Sequence, residues 1–244
     1  MCRRLADRDG LTDAVPNLMT TPIVTIDGPS GSGKGTISRA VAVRAGWHFL
    51  DSGALYRLVA LAGLKRGLKP DDADGHARLA ASLDVQFGVG RDGGELVTLA
   101  GEDVTDEIRS EVAGQGASRV AAWPSVRSAL LERQRAFARP PGLVADGRDM
   151  GTVVFPGADL KIFLTASPDE RALRRYKQLK DKGSDVSLAA LSREITERDL
   201  RDSTRTVAPL KPAPDAEVID STGLTVEQVV DRVLALGRLR ALWA

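Results

Sequence analysis

The run Gly28-Pro29-Ser30-Gly31-Ser32-Gly33-Lys34-Gly35-Thr36 stands between two segments of different periodicity. Before it, Pro22 to Asp27 is apolar and β-branched; after it, a helical pattern runs from Lys34 to Arg44. That order predicts strand, glycine-rich loop, helix. Glycines let such a loop curl so that successive N–H groups face inward, the helix N-terminus adds positive potential, and Lys34 reaches the far end of a bound anion. The fitting ligand is a nucleoside triphosphate, with Gly28, Pro29, Ser30, Gly31, Ser32, Gly33, Lys34, Gly35 and Thr36 as its candidate phosphate contacts. In the common form of this loop a hydroxyl residue follows the lysine directly. Here Gly35 intervenes and the hydroxyl is Thr36. Magnesium is therefore expected chiefly through nucleotide oxygens and water, with Thr36 or Asp146 as the nearest protein groups.

Further apolar runs predict buried parallel strands at Trp47 to Leu50, Leu143 to Ala145, Leu160 to Leu164 and Glu217 to Ile219, each next to helical periodicity. The expected fold class is α/β, a parallel sheet covered by helices on both faces. Between about Val85 and Thr105 the pattern alternates around Asp92-Gly93-Gly94, which predicts an antiparallel hairpin inserted into that fold. A helix is expected over Ala117 to Ala138, broken or restarted at Pro124. Another, over Ser187 to Ser203, is stopped by the proline-rich APLKPAPD.

At 244 residues the chain is long enough for one large domain or for a core with a modest insertion. Its 34 Lys plus Arg against 33 Asp plus Glu give no global field that would favour nucleic acid or a membrane surface as partner. Anion recognition must come from local charges. The one cysteine, Cys2, excludes an intramolecular disulfide and a cysteine zinc site, and fits a reducing cytoplasm. The two histidines, His48 and His76, are too few for a histidine-rich metal centre and receive no role. No window approaches the roughly 20 apolar residues of a membrane span. Residues 1–18 lack the apolar stretch of a leader and are expected to be a disordered tail or, since Met19 opens a new run, a start-site artefact.

Three segments carry candidate acceptor chemistry. In Asp51-Ser52-Gly53-Ala54-Leu55-Tyr56-Arg57, Ser52 is placed to cap a helix and Arg57 to project from its second turn. Ala145-Asp146-Gly147-Arg148-Asp149-Met150-Gly151-Thr152 leaves the carboxyl end of a central strand, where open α/β sheets bind ligands. There Asp146 is placed to organise magnesium or its water shell. In Glu197 to Arg205, the residues Arg198, Arg201, Asp202 and Arg205 fall at helical spacing on much of one side. A salt-bridged solvated face would use the same letters. With a phosphate loop in the chain, arginines on a closing element also suit the charge of a transferring phosphoryl group.

The strings IDGPSGSGKGT, LDSGALYR, GEDVTDEIR, RQRAF, ADGRDMGTVVFP, KIFLTAS, ERDLRD and VAPL followed by DSTGLT resemble bacterial cytidylate kinase in order and spacing from about Ile23 onward. The resemblance implies a P-loop kinase core with a five-stranded parallel sheet and a single kinase unit over 19–244. Within it the core would cover about 21–78 and 140–244, an acceptor-binding insert with a small antiparallel sheet about 79–139, and a helical lid about 185–211. It implies ATP and Mg²⁺ and an acceptor of CMP or dCMP, in a monomer. The cytosine contacts would be Ser118, Arg127 and Asp149, the ribose contact Asp202, and the acceptor-phosphate contacts Arg57, Arg148, Arg198 and Arg205, with Ser52 beside the acceptor. Lys34, Arg198, Arg201, Arg205 and Asp146 would serve the transfer step itself. The rival readings are a P-loop kinase for uridylate, adenylate or shikimate, and a nucleotide-dependent switch, although no Asn-Lys-x-Asp run is present to read guanine.

Overall fold

The computed structural model describes residues 21–90, 95–181, 183 and 185–243. The expected tail and the Asp92-Gly93-Gly94 turn lie outside the described residues.

The strand before the glycine loop is β1 (Ile23–Asp27), and Lys34 opens α1 (Lys34–Ala45), which ends at Gly46 with φ 69°, a left-handed cap that glycine adopts freely. β2 (His48–Asp51) leads into α2 (Ser52–Lys65) and then α3 (Ala73–Ala81). An antiparallel sheet of β3 (Val85–Val89), β4 (Glu95–Leu99) and the short β5 (Glu102–Asp103) follows. After it come α4 (Glu111–Val120) and α5 (Pro124–Arg135). The chain then returns to the main sheet with β6 (Leu143–Gly147), β7 (Leu160–Thr165), α6 (Pro168–Asp181), α7 (Leu188–Thr204), β8 (Glu217–Asp220) and α8 (Val226–Leu239).

The main sheet has the order β2-β6-β1-β7-β8, all parallel, so the expected α/β class with its antiparallel insert holds. Alternating residues of β6 face opposite layers: Leu143 and Ala145 pack with Leu55, Leu58 and Leu130, whereas Val144 packs with Ile26, Ile37, Ile162 and Val233. Two cores thus clamp one sheet, as continuous apolar strands require. From β1 the chain moves outward past the β6 position to β2, and later outward on the other side to β8. The crevice where these directions part lies at the carboxyl ends of β1 and β6.

Two local expectations are corrected. The helix expected from Ala117 starts at Glu111, capped by the Ser110 side chain, which accepts from the Ala113 N–H at 3.2 Å. Gly114 and Gly116 hide it in the sequence, because glycine disfavours helices. Here the small residue allows close packing: a Cβ at Gly116 would lie 2.9 Å from that of Ala60. Pro124 does separate it from the next helix, where it occupies the first turn. The cap of α2 is Asp51 rather than Ser52, its carboxylate accepting from the Ala54 N–H at 2.9 Å. Ser52 is instead buried in the first turn.

Candidate active site

A cleft of about 1340 Å³ opens at the carboxyl ends of β1, β2 and β6. Ser30, Gly31, Gly33, Lys34, Gly35 and Thr36 line one end of it. Gly28, Pro29 and Ser32 form the back of the same loop. A Cβ at Gly28 would stand 2.0 Å from the Leu164 carbonyl oxygen, so glycine is required for the loop to lie on β7. Three of the loop's carbonyls accept from side chains. Lys34 Nζ donates to Pro29 O (3.2 Å), Arg171 Nη1 to Ser30 O (3.0 Å) and Arg174 Nη1 to Ser32 O (3.2 Å). With these three carbonyls engaged, the loop's N–H groups are left for an anion.

Asp146 ends the same layer, in register with Ile26 on one side and Asp51 on the other. Burial raises its carboxyl to about 6, against the pull of Lys34. Burial, then Arg148, lowers Lys34 to about 7. The two shifts run against what their mutual attraction alone would give, because desolvation dominates both.

The cleft is also crowded with guanidinium groups. A methyl placed on Gly114 would lie 3.6 Å from Nη atoms of both Arg57 and Arg198, so two arginines from α2 and α7 converge over one point of α4. Arg57 donates to Ile108 O at 2.9 Å. Among the described residues, Arg198 Nε is buried with no hydrogen-bond partner, and so is Arg205 Nη2. Burial, then Arg148, lowers Arg198 to about 10. Burial likewise lowers Arg57 and Arg205. Charged groups so held are disposed to receive an anion. Arg148 Nε donates to Asp202 Oδ2 at 2.9 Å. Although burial pushes Asp202 up, Arg148, Arg205 and Arg198 outweigh it and hold the carboxyl below its usual range. Beside them Arg127 and Asp149 form an ion pair that is 8% and 3% exposed at the side chains, and the Arg127 guanidinium lies 5.8 Å from the centre of the Tyr56 ring. Ser118 lines the same wall, with its hydroxyl buried and unpartnered among the described residues.

The family model described as cytidylate kinase matches residues 24–238. The cytidylate kinase of Stutzerimonas stutzeri is 61% identical over 215 residues, covering 88% of this chain and 94% of its own. That of Azotobacter vinelandii is 59% identical over 214 residues, covering 87% and 93%. The chain belongs to the cytidylate kinase family. Among solved structures, a gluconokinase from Sinorhizobium meliloti 1021 aligns with TM-score 0.46 and 18% identity over 91% of this chain and 95% of its own, which adds nothing to the sheet order above.

In this member of the family the cleft gathers Ser52, Arg57, Ser118, Arg127, Asp146, Arg148, Asp149, Arg198, Asp202 and Arg205 around the phosphate loop. Arg201 is not among them. It is exposed, standing about 60° from Arg198 and about 100° from Asp202 around the helix. Other residues were not legible from the sequence. Arg171 and Arg174 grip the back of the loop from α6, and Arg171 also pairs with Asp199 of α7. A ladder runs from Asp51 through Arg109 (3.0 Å) to Glu95 (2.7 Å) and on to Arg39 (2.7 Å), joining α1 to the antiparallel sheet. In sequence these are ordinary charges on surface-type segments; only the basic triplet Arg171, Arg174, Arg175 after a strand gives a signal, and a weak one.

Proposed function

We infer that the chain transfers the γ-phosphoryl group of ATP reversibly to CMP or dCMP, giving ADP and CDP or dCDP. Family membership supports this over uridylate, adenylate or shikimate as acceptor and over a switch. The observation that carries it is the convergence of Arg57 and Arg198 on the cleft that the phosphate loop also lines, with Arg198 Nε unpartnered among the described residues. The loop suits a polyphosphate, the arginines a monophosphate, and the buried Arg127–Asp149 pair lies where a base would follow.

In this reading the loop Gly28 to Thr36 cradles the donor phosphates, with Lys34 on the terminal ones. Arg57, Arg148, Arg198 and Arg205 hold the acceptor phosphate, and Asp202 the ribose. Asp149, Arg127 and Ser118 read cytosine, whose N4 amino group donates and whose N3 and O2 accept. Uracil reverses N3 and position 4, and each buried group thereby left unpaired costs roughly 1–3 kcal/mol. The acceptor oxygen attacks in line without a protein nucleophile. Positioning and fixed positive charge do the catalytic work, Arg198 and Arg205 facing the charge that spreads over the moving group. Arg201 would join them only after α7 moves.

Magnesium fits the site: Asp146 Oδ1 is buried without a partner among the described residues, and Thr36 lines the cleft. Bound to nucleotide oxygens, it would neutralise charge between the β and γ phosphates. We extend the reading to an acceptor-binding insert at about 79–139, a lid at about 185–211, and a cytoplasmic monomer without a nucleic-acid partner. Among the described residues no helix is long and apolar enough to cross a membrane.

The test is ADP formation from ATP and magnesium with CMP, dCMP, UMP, AMP, GMP or shikimate. Turnover greatest with CMP and dCMP is expected. ATP binding without stimulation by any acceptor would overturn the reading in favour of a switch.

A further inference from the structure

Asp149 occupies the cap position of the π-helical turn Met150–Val154: its carbonyl accepts from Val153 N–H at 2.9 Å and Val154 N–H at 3.2 Å. An aspartate there ordinarily turns its own carboxylate back to accept from a free N–H two or three residues on. Asp149 makes no such bond and pairs with Arg127 instead. The first two free amides of the turn go elsewhere. Met150 N–H donates to Asp27 Oδ1 and Gly151 N–H to Asp27 Oδ2, each at 2.8 Å. Asp27 is 5% exposed, ends β1, and immediately precedes Gly28 of the phosphate loop. The turn lies directly on β1, since a Cβ at Gly151 would stand 2.8 Å from Thr25 Oγ1.

We propose that Asp27 is a positioning residue for base recognition: by capping the Met150–Val154 turn from the neighbouring strand, it frees the Asp149 carboxylate to face Arg127 and the acceptor base. This rests on the proposed cytidylate reading of the cleft. The physical ground is the obligation of buried amides to find acceptors. If Asp27 no longer supplies two, the carboxylate of Asp149, at the cap of the same turn, is drawn back to do so. Capping by Asp149 would take it off Arg127 and blunt the contrast between cytosine and uracil. Because Asp27 adjoins the donor loop, the setting of the base-reading carboxylate is also tied to the strand that carries the triphosphate site.

The variant is Asp27→Asn, which offers one oxygen acceptor and turns an NH₂ group toward the second amide. The preference for CMP over UMP, measured as a ratio of kcat/KM, should fall by roughly tenfold or more, the scale set by one misplaced buried polar partner. KM for CMP should rise, and KM for ATP should move by less than about threefold. Since Asp27 acts through Asp149, the double variant Asp27→Asn/Asp149→Asn should discriminate no worse than Asp149→Asn alone. Losses that multiply, or CMP and UMP activities falling by one common factor, would overturn the proposal. Amide hydrogen exchange supplies a readout independent of the acceptor: Met150 and Gly151 should lose protection in Asp27→Asn while Val144 and Ala145 keep theirs, and unchanged protection would also overturn it. Wild-type protein that ignores CMP would refute the cytidylate reading, leaving exchange at those two amides to decide Asp27. Should Asp27→Asn not fold, Asp27→Ser, which keeps one small acceptor, carries the same measurements.

Discussion

Removing Arg198 should separate stability from activity. Its proton affinity is lowered to about 10 by burial and by Arg148, a fall of roughly 2.5 powers of ten, or on the order of 3 kcal/mol against the charged head in the folded chain. Partial exposure softens that figure, and Arg198→Ala also gives up the packing of three methylenes, about 1–2 kcal/mol for a partly buried stem. The two nearly cancel, with a small balance in favour of the variant. At about 2–4 °C per kcal/mol for a chain of this size, Arg198→Ala should melt no lower than wild type without nucleotide, and up to about 6 °C higher. In the presence of CMP the order reverses. A charge-assisted contact to phosphate is lost, about 1.5–3 kcal/mol, so kcat/KM for CMP should drop by roughly ten- to 150-fold. The assays are thermal melts at low salt with and without CMP, and coupled ADP formation. A melting temperature below that of wild type without ligand, or unaltered kcat/KM, would refute the electrostatic reasoning.

Gly28→Ala drives a methyl into the Leu164 carbonyl, so KM for ATP should rise at least tenfold with a smaller effect on CMP affinity, measured by nucleotide titration. Asp149→Asn keeps an acceptor but removes the partner charge of buried Arg127, which predicts a loss of about 1–3 kcal/mol of stability by denaturant unfolding and a shift of preference toward UMP in acceptor competition. Burial raises the Asp27 carboxyl from 3.8 to about 7, against two backbone hydrogen bonds that favour its ionised form. The folded chain therefore binds more protons than the unfolded one in that window, and this group's contribution to stability declines as pH rises through it and is flat above. Melts from pH 4 to 8 should fall more steeply for wild type than for Asp27→Asn; parallel curves would refute the assignment.

Much of the fold is legible in local pattern. The β1–loop–α1 unit follows from glycine spacing between two periodicities, the four other core strands from short apolar runs, and the break at Pro124 from proline's missing N–H. The helix at Glu111 is obscured because Gly114 and Gly116 lower its propensity for the sake of packing on α2. The candidate site residues Lys34, Asp146, Arg148 and Asp149 can be located because they sit at the carboxyl end of a strand or at the helix start and loop that follow one. Helical spacing brings Arg198, Asp202 and Arg205 to one face, yet it cannot show that Arg201 falls beyond the edge of the cleft.

What the sequence determined by itself is the α/β class and the glycine-rich phosphate loop, because these depend on interactions within a few residues; the acceptor residues are named through resemblance to the family. Tertiary structure alone decided which charges meet. Asp27 reaches amides 123 and 124 positions away, and Arg171 grips a loop 141 positions before it. Periodicity tells which face of an element is buried, but a carboxylate or guanidinium takes its role from the unpaired group opposite it, and that group is chosen by the packing of the sheet.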